Sequence, residues 1–223
     1  MVTKIVEFEN VGELEESLGR IEARRIRMKP YPGTATEADL IRANDRKGVL
    51  CELVNGTLVE KVMGYGEGGL ESDIIRILGR YLDVNDIGDV VSASAMMRLS
   101  PGVVRLPDVS VVLWEQLPGR RRPTAPIPDI YPDLAVEVLS EGNTRDEMFQ
   151  KRRHYFFAGT RLVWEVDPRR FTISVYNDPE TRTILTEADT LTGGDVLPGF
   201  SVPVREVFAR VPRPEPKPRR KKK

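Results

Sequence analysis

"DLAVEVLS", residues 133–140, has the composition of a core strand, with one acid in its middle. Alternation along a strand puts Leu134, Val136 and Val138 on one side and Ala135, Glu137 and Leu139 on the other. Both sides are apolar apart from Glu137, so the strand is expected to be covered on each face. An unpaired ionised carboxylate there costs several kcal/mol or more. Four things could compensate it: a basic partner, a hydrogen-bond network, a raised pKa or a metal ion.

The elements around this strand set the fold class. Downstream, "NTRDEMFQKRRHYFFAG" reads as a helix that packs through Met148, Phe149, Tyr155 and Phe156 and stops at Gly159. "RLVWEVD", "FTISVYN" and "TRTILTE" are further strands, and "VLPGFSVPVREVFAR" closes the chain with a turn and a last helix. Upstream, Thr36 is an N-cap with Asp39 three residues on, which predicts a helix near 37–46. "VLCELVNGTLVEKVM" is a hairpin signal, because Asn55-Gly56 tolerates the positive φ of a type I′ turn. Leu70, Ile74, Ile77, Leu78 and Tyr81 have helical spacing, and Gly88 ends that unit. "DVVSASAMMRLS", a Pro101-Gly102 turn and "VVRLPDVSVVLW" read as consecutive strands, before a Pro- and Arg-rich loop over 115–132. The order lacks regular βαβα alternation and predicts an α+β domain with a mixed sheet flanked by helices.

At 223 residues the chain holds one domain with extensions. Residues 1–30 are charge-dense and read as a short strand and a helical or loose extension without chemistry. Residues 31–211 form the domain. From Pro212 onward "PRPEPKPRRKKK" carries a net charge of +6, leaving −6 on the remainder of a formally neutral chain. That Pro- and Lys/Arg-rich tail is expected to be disordered, either as a solubilising terminus or as a tether for nucleic acid or another polyanion. With 40% apolar and 30% charged residues and no long apolar run, a membrane protein is not expected. The acidic start does not resemble a secretory signal, so a cytoplasmic location is expected. Cys51 and His154 are each the only residue of their kind, which excludes an intrachain disulfide and a Cys/His zinc site. His154 reads as a half-exposed helix histidine.

Asp108 precedes a strand of alternating Val and Leu, 29 residues before Glu137. Alone it reads as a turn residue or cap. If the two strands are neighbours, both carboxylates converge at one edge of the sheet and suit a hard divalent cation, Mg²⁺ or Mn²⁺. Lys151, on the helix after the Glu137 strand, would orient water or stabilise charge on a phosphate. Each part also has a plain reading: Glu137 could pair with Arg98 or Arg105, and Lys151 could decorate a solvated helix face. "GYGEGG", residues 64–69, lacks the Lys-Ser/Thr ending of a P-loop and reads as a mobile loop beside the site. Trp114 and Trp164 read as core, and Asp167-Pro168 as a turn.

"YPGTATEADL", "CELVNGTLVEKVM", "RLPDVSVV", "DLAVEVLSEGNTRDEMFQKRRHYFFAGTRLVWEVDP" and "GGDVLPGFSVPVREVF" together resemble the Uma2 family, a bacterial branch of the PD-(D/E)XK, restriction-endonuclease-like superfamily. The resemblance runs from about Pro30 to Arg210. It implies a restriction-endonuclease-like fold and a metal-dependent endonuclease acting on nucleic acid, with DNA as the first substrate class, possible pairing of two copies, and no membrane role. It also implies Asp108 and Glu137 as metal ligands, Glu52 of the hairpin as a further site acid, and Glu71 on the following helix as a fourth member. Without the resemblance, Glu52 would read as a hairpin-edge salt bridge and Glu71 as an acid favourable to a helix N-terminus. The superfamily lysine normally stands two residues after the acid, where this chain has Leu139; Lys151 resembles a migrated replacement. The alternative is a nuclease scaffold that binds nucleic acid or protein without turnover.

Overall fold

The computed structural model describes residues 5–45, 49–62 and 64–213. The basic tail therefore lies, from residue 214 onward, outside the described residues. Five α-helices are described: α1 (Val11–Ser17), α2 (Glu37–Asn44), α3 (Tyr65–Asn85), α4 (Arg145–Ala158) and α5 (Val204–Val207). The first strands are β1 (Cys51–Val54), β2 (Thr57–Glu60), β3 (Gly88–Ser92), β4 (Met97–Ser100), β5 (Val103–Arg105) and β6 (Val109–Leu113). They are followed by β7 (Leu134–Val138), β8 (Leu162–Asp167), β9 (Thr172–Tyr176), β10 (Arg182–Leu185), β11 (Thr190–Gly193) and β12 (Leu197–Pro203).

The central sheet has the order β10-β9-β8-β7-β6-β3 and is mixed: β7 and β8 run parallel, and every other pair is antiparallel. A second sheet, β2-β1-β5-β4, carries the hairpin, and β11-β12 form a third. The fold is α+β, as the element order predicts.

The strand of residues 134–138 is sandwiched as its sequence requires. Leu134, Val136 and Val138 pack with Leu70, Ile74, Leu78 and Leu82 of α3 on one face. Ala135, with Val163 and Val112, meets Tyr155 of α4 on the other. Each fully buried leucine of the α3 stripe is worth about 1.5–3 kcal/mol as an upper estimate. Local signals hold as well. Thr36 and Asp39 form a reciprocal capping box at α2. Asn55 and Gly56 both have positive φ, 49° and 72°, at the β1-β2 turn.

Three expectations are corrected. "GYGEGG" is no loop: Tyr65 to Gly69 form the first turns of α3 despite the low helix propensity of glycine, because the helix is held by its packed stripe further on. Gly88 does not end that helix; Asp86, in the left-handed conformation, caps it, and Gly88 opens β3, where any Cβ would meet the Val112 carbonyl at 2.6 Å. The C-terminal segment is a β11-β12 hairpin followed by a single helical turn, and not simply a turn and a helix. Residues 1–30 take the helical one of the two expected forms where they are described, with α1, and they are packed. Leu14, Leu18, Ile21 and Ile26 pack on Val54 and Val59 of the hairpin, and Ile26 bridges Val59.

Candidate active site

β6 and β7 are neighbours, with Val109 opposite Val136, so the antiparallel register brings Asp108 across from Glu137 on the face covered by α4. Both acids are buried. Asp108 Oδ2 accepts the Val138 backbone N–H at 2.6 Å, a bond across the two strands that fixes the carboxylate in place. Its other oxygen, Oδ1, accepts from the Lys61 ammonium at 2.7 Å.

Glu137 is compensated by α4. Lys151 Nζ donates to Oε2 at 2.8 Å, and the Tyr155 hydroxyl donates to Oε1. Lys151 and Tyr155 are spaced four residues apart, so one helix face presents both to the carboxylate. Neither Arg98 nor Arg105 is the partner: Arg98 pairs with Glu37 and Asp129, and Arg105 with Glu52. Nor does Lys151 decorate a solvated face, since its side chain is 3% exposed. Tyr155 is packed and bonded to the acid at once.

Glu52, in β1, enters the cluster from the second sheet. It accepts from Arg105 Nη1 at 2.7 Å and from the Leu106 backbone N–H at 3.0 Å, and Lys151 Nζ stands 3.8 Å away. Arg105 in turn donates to Nδ1 of half-buried His154. Burial, then the Arg105 charge, pushes that imidazole down to about 3, so it is neutral and an acceptor.

The ionisation pattern reflects burial first, and then the balance of the carboxylates against Lys151, Arg105 and Lys61. Burial raises the Glu137 carboxyl; Lys151 opposes this and Asp108 reinforces it, for a net upward shift. Burial also pushes on Glu52, but Lys151, Arg105 and Lys61 outweigh it and hold that carboxyl well below the ordinary range. Lys151 is raised because Glu137, Glu52 and Glu147 overcome its burial. Glu71, half-buried near the start of α3, is pushed up to about 7 by burial and then by the charge of Asp108, against the pull of Lys61. The geometry thus assembles Asp108, Glu137, Lys151 and Glu52, and brings Glu71 within electrostatic range.

Among the described residues no three acids, histidines or cysteines already surround one cation position. The donor chemistry nevertheless fits a hard divalent ion. The oxygens come from carboxylates held on neighbouring strands, the ligand type that such an ion prefers.

Two partners escaped sequence reasoning. Lys61 follows β2 and looks like a strand-end surface lysine, yet its side chain is 5% exposed and sits on Asp108. Arg25 lies in the run "EARRIRMK" and is buried. Its guanidinium holds Glu147 of α4 with two bonds of 2.9 and 2.6 Å and also donates to the Glu60 carbonyl, clamping the N-terminal segment, the hairpin and α4 together. The acids at β8 are explained locally: Glu165 accepts from Arg152 and Tyr176, and Asp167 accepts the Arg169 and Arg170 amides of a turn. Trp164 is core, whereas Trp114 is half-buried and donates to Asp86.

Comparison with known proteins adds a family. The model of the Uma2 family, described as "Putative restriction endonuclease", matches residues 37–205. Among solved structures, a "putative nuclease belonging to DUF820" from Anabaena variabilis ATCC 29413 superposes with a TM-score of 0.63 at 19% identity, covering 72% of this chain and 90% of its own, a likeness of fold. None of the curated proteins matches.

Proposed function

The chain belongs to the Uma2 family, and from that premise we propose that it is a metal-dependent endonuclease hydrolysing phosphodiester bonds in nucleic acid, with DNA as the first substrate class. The observation that carries this reading is the meeting of Asp108 and Glu137 across adjacent strands, with the Lys151 ammonium 2.8 Å from Glu137. An acid-acid-lysine set buried between two interior strands and α4 is costly for stability alone, which makes chemistry the better account of its presence.

Asp108 and Glu137 would hold Mg²⁺ or Mn²⁺, with Glu71 as a further carboxylate. Bound there, such an ion supplies Lewis acidity at a phosphoryl oxygen and lowers the pKa of a water. Lys151 orients the attacking water and stabilises the negative charge that grows on the phosphate in the transition state. Tyr155 fixes the Glu137 carboxylate so that its oxygens stay directed at the site. Glu52, kept ionised by Lys151 and Arg105, positions Lys151 from its far side. The described residues include no helix long and apolar enough to cross a membrane.

The test is incubation of purified protein with plasmid and Mg²⁺, alongside Glu137→Ala and Lys151→Ala. Cleavage by the wild type alone supports the proposal; equal cleavage by all three proteins places any activity elsewhere. A second reading, a nuclease scaffold that binds without turnover, draws on the two ammonium groups that already neutralise Asp108 and Glu137. Calorimetry separates it: Mn²⁺ heat that vanishes in Asp108→Ala favours the enzyme.

A further inference from the structure

Each Asp108 oxygen already accepts one bond: Oδ2 takes the rigid Val138 amide, and Oδ1 takes the Lys61 ammonium at 2.7 Å, so Lys61 is the partner that an arriving cation could replace without disturbing the strand pairing. The same ammonium donates to the Leu106 carbonyl. It therefore rests in a pocket of hard oxygen donors, with Glu137 and Glu52 close enough to act on it electrostatically. Hard oxygens at that point are what a divalent cation would use, and two positive centres on one carboxylate oxygen repel each other in a space closed to solvent.

Resting on the metal reading above, we propose that Lys61 is a resident counter-cation: it occupies the Asp108 side of the site in the metal-free protein and is displaced when a divalent ion binds. Lys61 is then a positioning residue. It keeps Asp108 desolvated and correctly turned until the ion arrives, and it sets how tightly that ion is held. Its place in the chain allows the movement. Lys61 lies just past the end of β2, where its backbone N–H still bonds the Leu50 carbonyl at 2.8 Å, so the movement is one of the side chain alone, and it leads towards an open surface: Val62 is 38% exposed and Tyr65 fully exposed. Lys151 differs in kind, because it is built into the middle of α4 and is held by Glu137 on one side and Glu52 on the other.

Two measurements test this on the full chain. Mn²⁺ binding followed by calorimetry is expected to be about tenfold tighter in Lys61→Met than in the wild type, a competitor having been removed. Without Mn²⁺ the variant is expected to melt below the wild type, with a larger rise on saturation. Equal or weaker binding by the variant overturns the inference while leaving the metal reading intact; no binding by either protein overturns both. Should Lys61→Met fail to fold, amine labelling of the wild type read by mass spectrometry decides the matter. Lys61 should be protected in chelator and labelled at saturating Mn²⁺, with Lys151 protected throughout. Continued protection of Lys61 overturns the inference.

Discussion

Replacing Lys151 with methionine keeps most of the side chain and removes only its charge. The ammonium lies 2.8 Å from Glu137 and 3.8 Å from Glu52. At an effective dielectric constant of about 20, those separations correspond to gross attractions of about 6 and about 4 kcal/mol. Part is offset because the variant no longer desolvates an ammonium, and deleting one partner of a buried pair typically costs about 3–5 kcal/mol. That is the loss expected in urea unfolding with chelator at about pH 7. The loss should depend on pH. Without Lys151 the Glu137 carboxyl, already raised above its ordinary 4.5, moves further up. A raised acid carries no penalty below its unfolded value and one that grows as pH climbs from there towards its folded value, so the deficit should shrink on acidification to about pH 5. A deficit under about 1 kcal/mol at neutral pH, the range of a solvent-exposed pair, would refute the reasoning, as would one that does not change with pH.

Two further outcomes follow from the same geometry. Arg25→Ala strands the buried Glu147 carboxylate and should cost about 3–5 kcal/mol, while hydrogen exchange accelerates in residues 11–26 and at the start of α4; unchanged protection would contradict the clamp. The Glu71 carboxyl, pushed from 4.5 up to about 7, should make wild-type stability in chelator fall between those values as pH rises. Because Glu71 is only partly buried, solvent screening cuts the effect to about 1–2 kcal/mol, and Glu71→Gln should remove that slope; parallel profiles for the two proteins would contradict it.

Much of the architecture was legible where local chemistry and tertiary context agree. The apolar faces of residues 134–138 announced a sandwiched strand, Asn55-Gly56 announced its hairpin, and Thr36 with Asp39 announced a capping box. Convergence of Asp108 and Glu137 was conditional on strand adjacency, which no local pattern encodes. Its test came from the register. What stayed hidden depended on burial decided elsewhere. "EARRIRMK" offers several equivalent cations, and only the packing of α1 on the hairpin selects Arg25 for the interior. Lys61 has the sequence setting of a surface lysine, and only the Asp108 oxygen above it makes it part of the site. The glycines of residues 64–69 misled for the opposite reason: their propensity is poor, but the apolar stripe from Leu70 onward already holds the helix that they begin.

The most direct measurement is anomalous diffraction from a crystal soaked in Mn²⁺. A single peak within coordination distance of both the Asp108 and Glu137 carboxylates, about 2.0–2.2 Å from their oxygens, is the predicted result. Soaked crystals with no peak between those two side chains would contradict the account.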